Sequence, residues 1–235
     1  MRFMIMHKTT AAMETGTPPP KELIQGVGQL IGEARRQNAL LGGAGLRPTS
    51  TRLHLAYRDG KRTVTPGPFA EPRELVAGFA QMKVATREEA LGWCDRFAAV
   101  VGDVELYLGP VVEGWDLGVM PRPENPPLRF LSLHAEPRAG DDPQRAARLS
   151  ALAEEMTRAG VLEAAGALAG TGKGARVRFD AGKPRVIDGP FAESKELVAG
   201  YTLLELPSKA VAIEWAIRLA AIIDVDEVEI REMAA

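Results

Sequence analysis

At 235 residues the chain is long enough for one large domain or two small ones. Its 46% apolar and 26% charged residues are ordinary for a globular protein, and a net charge of −2 without a basic stripe gives nucleic acid no footing. Cys94 is the single cysteine, which excludes an intrachain disulfide and reads as a reducing, cytoplasmic setting. The opening MRFMIMHK holds an apolar run too short for a signal peptide or a membrane span.

The run Phe3 to His7 predicts a strand. A polar loop follows, and then Leu23, Val27, Leu30, Ile31 and Ala34 fall on one face of a helix. The glycines of RRQNALLGGAG predict that helix's stop. Leu53 to Arg58 and Lys61 to Thr65 predict a hairpin closed by Asp59-Gly60. A further strand is expected over about Leu75 to Val84. Thr86 and Glu89 form a capping box that opens a second helix, and a last strand covers Glu105 to Leu108. Met120 to Pro127 carries four prolines in eight residues, which predicts a stiff, extended linker.

Beyond the linker the series repeats. Phe130 to His134 matches the first strand, with a histidine closing each. Leu149, Leu152, Ala153 and Met156 share the next helical face. Ala181-Gly182 takes the place of the hairpin turn, Leu197 to Leu206 that of the strand after it, Pro207-Ser208 that of the second helix start, and Glu227 to Ile230 that of the last strand. Shifted by 122 residues (188 − 66), Pro66 to Phe79 and Asp188 to Tyr201 agree at ten of fourteen positions. The sharpest difference is Pro66 against Asp188. The expected units are therefore 1–119 and 128–235, separated by linker 120–127. Each reads β-α-β-β-(β)-α-β, a split βαβ of the ferredoxin-like kind with helices on one sheet face. The other sheet face needs a cover, and the second copy supplies it about a pseudo-twofold. The fold class expected is α+β, two tandem ferredoxin-like units forming an intramolecular pseudo-dimeric α/β barrel. The last strand of each unit is expected to border the other unit's sheet.

The stretch Asp-Gly-Pro-Phe-Ala-Glu-x-Lys-Glu, Asp188 to Glu196, resembles the signature of the DGPF branch of YCII-related proteins, of the dimeric α/β-barrel superfamily. The motif is specific for that family and poorly specific for chemistry. The resemblance implies two ferredoxin-like units facing each other around a cleft. It also implies kinship with lyase-type enzymes, including a dehydrochlorinase of aromatic degradation that moves a proton with a His–Asp pair. DGPF-type proteins tend to be encoded beside alternative sigma factors, which implies a regulatory context as the alternative. Unit one departs from the pattern at Pro66.

Asp188 and His134 are the candidate catalytic pair, a carboxylate orienting an acid–base histidine. A turn-making role competes for Asp188, and a backbone-bonded strand-end role for His134. His7, His54 and Phe191 are candidate substrate contacts; the counterpart of His54 is Arg176. Three scattered histidines and one cysteine form no metal-ligand spacing, and no cofactor is expected. Cys94, whose counterpart is Ala216, reads as packing, and Trp93 and Trp215 as core anchors. Glu71, Arg73, Glu74 and their partners Glu193, Lys195, Glu196 read as a solvated, paired segment. Gly170 to Gly174, GTGKG, lacks the Walker spacing and reads as a flexible loop. The function expected is small-molecule binding in the cleft with cofactor-free lyase or isomerase chemistry. The alternative is a ligand-binding regulatory module. Expected partners are a small molecule, with neither nucleic acid nor membrane, and a homodimer is among the assemblies the sequence allows.

Overall fold

Strand β1 (Arg2–Lys8) alternates its side chains between two apolar layers, and this alternation organises the whole molecule. The computed structural model describes residues 1–69, 75–138, 142–180, 182–191 and 197–234. After β1 come α1 (Ala11–Glu14), α2 (Lys21–Arg36), β2 (Leu40–Leu46), β3 (Leu53–Arg58), β4 (Lys61–Pro66), β5 (Gly78–Val84), α3 (Arg87–Val101) and β6 (Val104–Val112). The second series is β7 (Leu128–His134), α4 (Arg145–Arg158), β8 (Leu162–Ala167), β9 (Ala175–Asp180), β10 (Lys183–Asp188), β11 (Val198–Glu205), α5 (Lys209–Ile223) and β12 (Glu227–Glu232).

The strands form two six-stranded antiparallel sheets, ordered β10-β9-β12-β1-β11-β2 and β4-β3-β6-β7-β5-β8. The expected units 1–119 and 128–235 do not each hold their own sheet. β1 lies between β11 and β12, and β7 lies between β5 and β6. Each sheet therefore takes one βαβ from each repeat. β1-α2-β2 is completed by β11-α5-β12, and β7-α4-β8 by β5-α3-β6. The last four strands of each order, β12-β1-β11-β2 and β6-β7-β5-β8, then run in split-βαβ order, compatible with a ferredoxin-like unit. The expectation for the closing strands holds: β12 and β6 each pair with the first strand of the other repeat. The linker joins β6 to β7, which are neighbours in one sheet.

Helices α2 and α5 cover the first sheet around Phe3, Ile5, Trp215 and Leu219, and α3 and α4 cover the second around Leu55, Leu106, Phe130 and Met156. A third core lies between the sheets and holds Met4, Met6, Tyr201 and Leu203 from one against Phe79, Leu131 and Leu133 from the other. Tyr201 also donates its hydroxyl to Gln81 Oε1 across that layer, at 2.7 Å. The sheets touch along two seams. Leu46 pairs with Val111 where β2 meets β6, and Leu168 bridges to Met233 just past the ends of β8 and β12.

Sequence reasoning missed one strand in each repeat. Leu40 to Leu46, expected as a helix stop, is β2, and its counterpart is β8. The glycines serve close strand approach there: a Cβ on Gly43 would lie 2.8 Å from Tyr201 O. The Asp59-Gly60 turn forms as expected, both residues having positive φ. The Thr86 cap forms, with Glu89 N donating to Thr86 Oγ1, while the Glu89 carboxylate accepts from Ala85 N, one residue before the cap, in place of Thr86 N. Ala181 and the charged segments Glu71 to Glu74 and Glu193 to Glu196 lie outside the described residues.

Candidate functional site

The repeated Gly-Pro-Phe turns are packing devices. A Cβ on Gly67 would lie 1.9 Å from Thr49 O, and one on Gly189 would lie 1.8 Å from Thr171 O. No side chain other than hydrogen fits there. In the second repeat Phe191 N donates to Thr171 Oγ1 at 3.0 Å. The GTGKG segment, expected as a flexible loop, thus includes a 3-10 turn (Thr171–Lys173) that the motif turn packs against. The motif phenylalanines cover a strand residue in each repeat. Phe191 lies under the Arg176 guanidinium, 4.3 Å from ring centre, and Phe69 meets His54 edge-on at 6.2 Å. His54 is held further by Glu105 Oε2, 2.7 Å from its Nε2, and by stacking on Tyr107.

The expected pairing of His134 with Asp188 is corrected by the structure. Asp188 ends the outermost strand of the first sheet, largely exposed, and accepts a 2.7 Å hydrogen bond from Lys209 Nζ. His134 ends β7, a central strand of the second sheet, and its Nδ1 donates to Ala135 O at 2.9 Å. A carbonyl only accepts, so Nδ1 carries the proton and Nε2 of the neutral ring is an acceptor. Burial lowers the His134 pKa. His7 repeats the arrangement, with Nδ1 on Lys8 O and burial pushing its pKa down to about 4.

Each of these histidines lies over a glycine of the other repeat. Gly78 pairs with His134 and Gly200 with His7 in the strand register. A Cβ on either glycine would lie 2.4 Å from the histidine's Nε2. The glycines of the repeated Leu-Val-Ala-Gly phrase therefore make the room in which Nε2 sits.

From there the two halves diverge. Between α3, α4 and the second sheet lies a cavity of about 360 Å³ with His134 on its wall. The matching place under α2 and α5 holds about 10 Å³. Every residue lining the small void has its repeat counterpart on the large cavity, so the two are the same site in different states of filling. Three exchanges on the shared wall remove volume, the smallest being Thr202 to Ala80, against Ala34 to Met156 and Leu219 to Phe97, which add it; the other two are the largest. Ile5 is replaced by Ser132, and Ile31 by Ala153. At the mouth Arg145 stands where the first half has Leu23. Glu136 also lines the cavity, and the remaining walls are mainly apolar, with Phe97 tilted against the His134 ring at 4.8 Å. Ser132 hydrogen-bonds the Cys94 thiol, whose pKa burial pushes up to about 12, so Cys94 is a packing residue and not a nucleophile. Of the residues expected at the site, His134 lines the cavity, while His7, His54, Phe191 and Asp188 do not. Ser132, Ala153 and Arg145 went unnoticed. Their signal was present in the repeat itself, as small or charged residues opposite Ile5, Ile31 and Leu23.

Comparison with known proteins agrees with the second repeat. Residues 132–234 match the model of the YCII-related domain. A stretch of 68 residues is 38% identical to an uncharacterized protein of Rhizobium meliloti (strain 1021), covering 29% of this chain and 55% of that protein. The chain thus spans about half the length of that relative. No solved structure is significantly similar. Among the described residues no group of three or more His, Cys, Asp or Glu could hold a metal ion, and no helix is long and apolar enough to cross a membrane.

Proposed function

We propose that the chain is a tandem YCII-related protein that binds a small, mainly apolar molecule in the cavity between α3, α4 and the second sheet, with His134 Nε2 as the proton acceptor. The observation that carries this reading is the open site opposite its filled counterpart. A well-packed core closes around a void, since lost contacts and the residual cavity both cost stability. One half meets that demand with Ile5 and Ile31. The other half keeps the space and puts a neutral histidine, a serine and a charged mouth on it, which is the composition of a ligand pocket.

His134 suits proton transfer without a partner carboxylate. Its proton is fixed on Nδ1 by a backbone carbonyl, its ring is held by Phe97, and its lowered pKa keeps Nε2 unprotonated at neutral pH. A bound molecule with an acidic C–H would hand that proton to Nε2 and take one back at another carbon, an isomerisation. Elimination would follow if the resulting carbanion expelled a leaving group. The first half has its histidine but not the space, which supports placing the working member of this pair of sites in the second half. The two seams support reading the two sheets as one closed barrel that holds the helices in place.

The test compares wild type with Ser132→Ile/Ala153→Ile, which copies the filled half. A ligand at one hundred times its Kd adds about 2.7 kcal/mol to stability. Compounds that raise the melting temperature of wild type but not of the filled variant support the cavity. Hits that stabilise both equally place binding elsewhere and overturn the reading. For a hit with an acidic C–H, solvent deuterium exchange at that carbon should vanish in His134→Gln while binding persists.

A further inference from the structure

The polar groups on the cavity wall differ in whether they are already engaged. Ser132 bonds the Cys94 thiol, Arg145 has a partner, and His134 Nδ1 is held by Ala135 O. Asp142, near the start of α4, accepts from Arg148 and from Gln144 N. Glu136 differs from all of these. Among the described residues its carboxylate has no hydrogen bond or ion pair, and its charge reaches the His134 ring. Resting on the binding site proposed above, we propose that the ligand is a hydrophobic primary amine, its ammonium group at Glu136 and its apolar body against Phe97, Leu149 and Ala153.

The chain past β7 puts this carboxylate in place. Ala135 N bonds Glu105 O and Arg138 N bonds Asp103 O, so the segment runs on beside β6, and His134 and Glu136 both line the cavity. The repeat comparison isolates the group. Thr9 stands where Glu136 does, and its hydroxyl donates to Glu14 Oε1 at 2.6 Å. The filled half thus has neither the space nor an unengaged carboxylate, and the open half has both. Glu136 and His134 Nε2 only accept hydrogen bonds. The ligand edge that faces them must present hydrogens: N–H groups to Glu136, and to Nε2 the C–H whose proton it takes. An anionic head group would meet repulsion from Glu136 there. Glu136 is exposed, so water solvates it before binding, and the ion pair gives selectivity more than affinity. The volume of about 360 Å³ suits a single ring with a short chain.

Calorimetry near neutral pH with phenylpropylamine, phenylpropanol and phenylpropionate tests this. The three share one apolar body and differ in the charge of the head group. The amine should bind wild type about fivefold more tightly than the alcohol, the size of an exposed ion pair, and the acid more weakly than the alcohol. Glu136→Gln should bring the amine to the level of the alcohol and leave the alcohol unchanged. Filling the floor with Ser132→Ile/Ala153→Ile should abolish all binding. If amine and alcohol bind wild type alike and the filled variant loses both, the ammonium assignment fails and the cavity survives. If the amine keeps its lead in Glu136→Gln, or the acid binds most tightly, the inference is overturned. If the filled variant binds as wild type does, or wild type binds none of the three, both readings fall.

Discussion

Arg52 and Arg231 deliver their guanidinium groups to matching points of the two halves from non-matching points of the repeat. Arg52 donates to Arg47 O at 2.7 Å and Val198 O at 2.6 Å. Arg231 donates to Ala169 O at 2.6 Å and Val76 O at 3.2 Å, the repeat counterparts of those two carbonyls. The counterpart of Arg52 is Gly174, and that of Arg231 is Gly109. A Cβ at Gly109 would lie 3.1 Å from Arg52 Cδ, and one at Gly174 the same distance from Arg231 Cδ. Arginine and glycine have changed places between two neighbouring strands, and the buried cation stays where it was.

This exchange predicts a rescue. Arg52→Gly leaves two carbonyls without their donor and should cost on the order of 2–4 kcal/mol in urea unfolding. Arg52→Gly combined with Gly109→Arg copies the second half and should recover much of that loss. Equal instability of the single and double variants would show that the two arginines are not interchangeable.

The histidine–glycine contacts predict a second coupling. Gly78→Ala forces a methyl group against the His134 ring and should destabilise by about 1–3 kcal/mol as an overpacked contact. Adding His134→Ser removes the ring and should relieve part of the strain, because a Cβ on Gly78 would still lie 2.8 Å from Gly166 O. Additive losses in the double variant, read by thermal or urea unfolding, would contradict the contact. Gly200→Ala against His7 should behave alike.

Buried neutral histidines make the protein acid-sensitive. The folded pKa of His7 lies near 4, below the usual 6.5 of the unfolded chain. Above pH 6.5 both states are neutral and stability is full. As pH falls towards 4 the unfolded chain binds a proton that the folded one refuses, and stability declines until the folded histidine titrates. The loss from His7 is on the order of 3 kcal/mol across that window. The lowered pKa of His134 acts in the same direction. Melting temperatures measured from neutral pH downward should fall through this range, and His7→Gln should flatten the curve. Asp188→Asn should leave it unchanged, because its exposed pair with Lys209 contributes little. A curve indifferent to His7→Gln would mean that this ring is not held neutral.

Local chemistry was legible in the chain itself. The Asp59-Gly60 turn, the Thr86 cap and the helical apolar faces follow from bonding within a few residues, so the sequence alone determined them. The repeat also determined that there would be two similar halves with apolar sheet faces to cover. Beyond the closing strands, strand partners were not legible, because hydrophobic alternation says which side of a strand is buried and not which strand lies beside it. Only the tertiary structure decided that β11 is the other neighbour of β1, that Leu40 to Leu46 is a strand, and that Asp188 meets Lys209 instead of His134. The cavity was half written. Ser132 and Ala153 stood in the sequence opposite Ile5 and Ile31. Their removal of volume became a pocket only when two helices and a sheet converged on that point, since empty space is a property of packing among distant residues and not of any one of them.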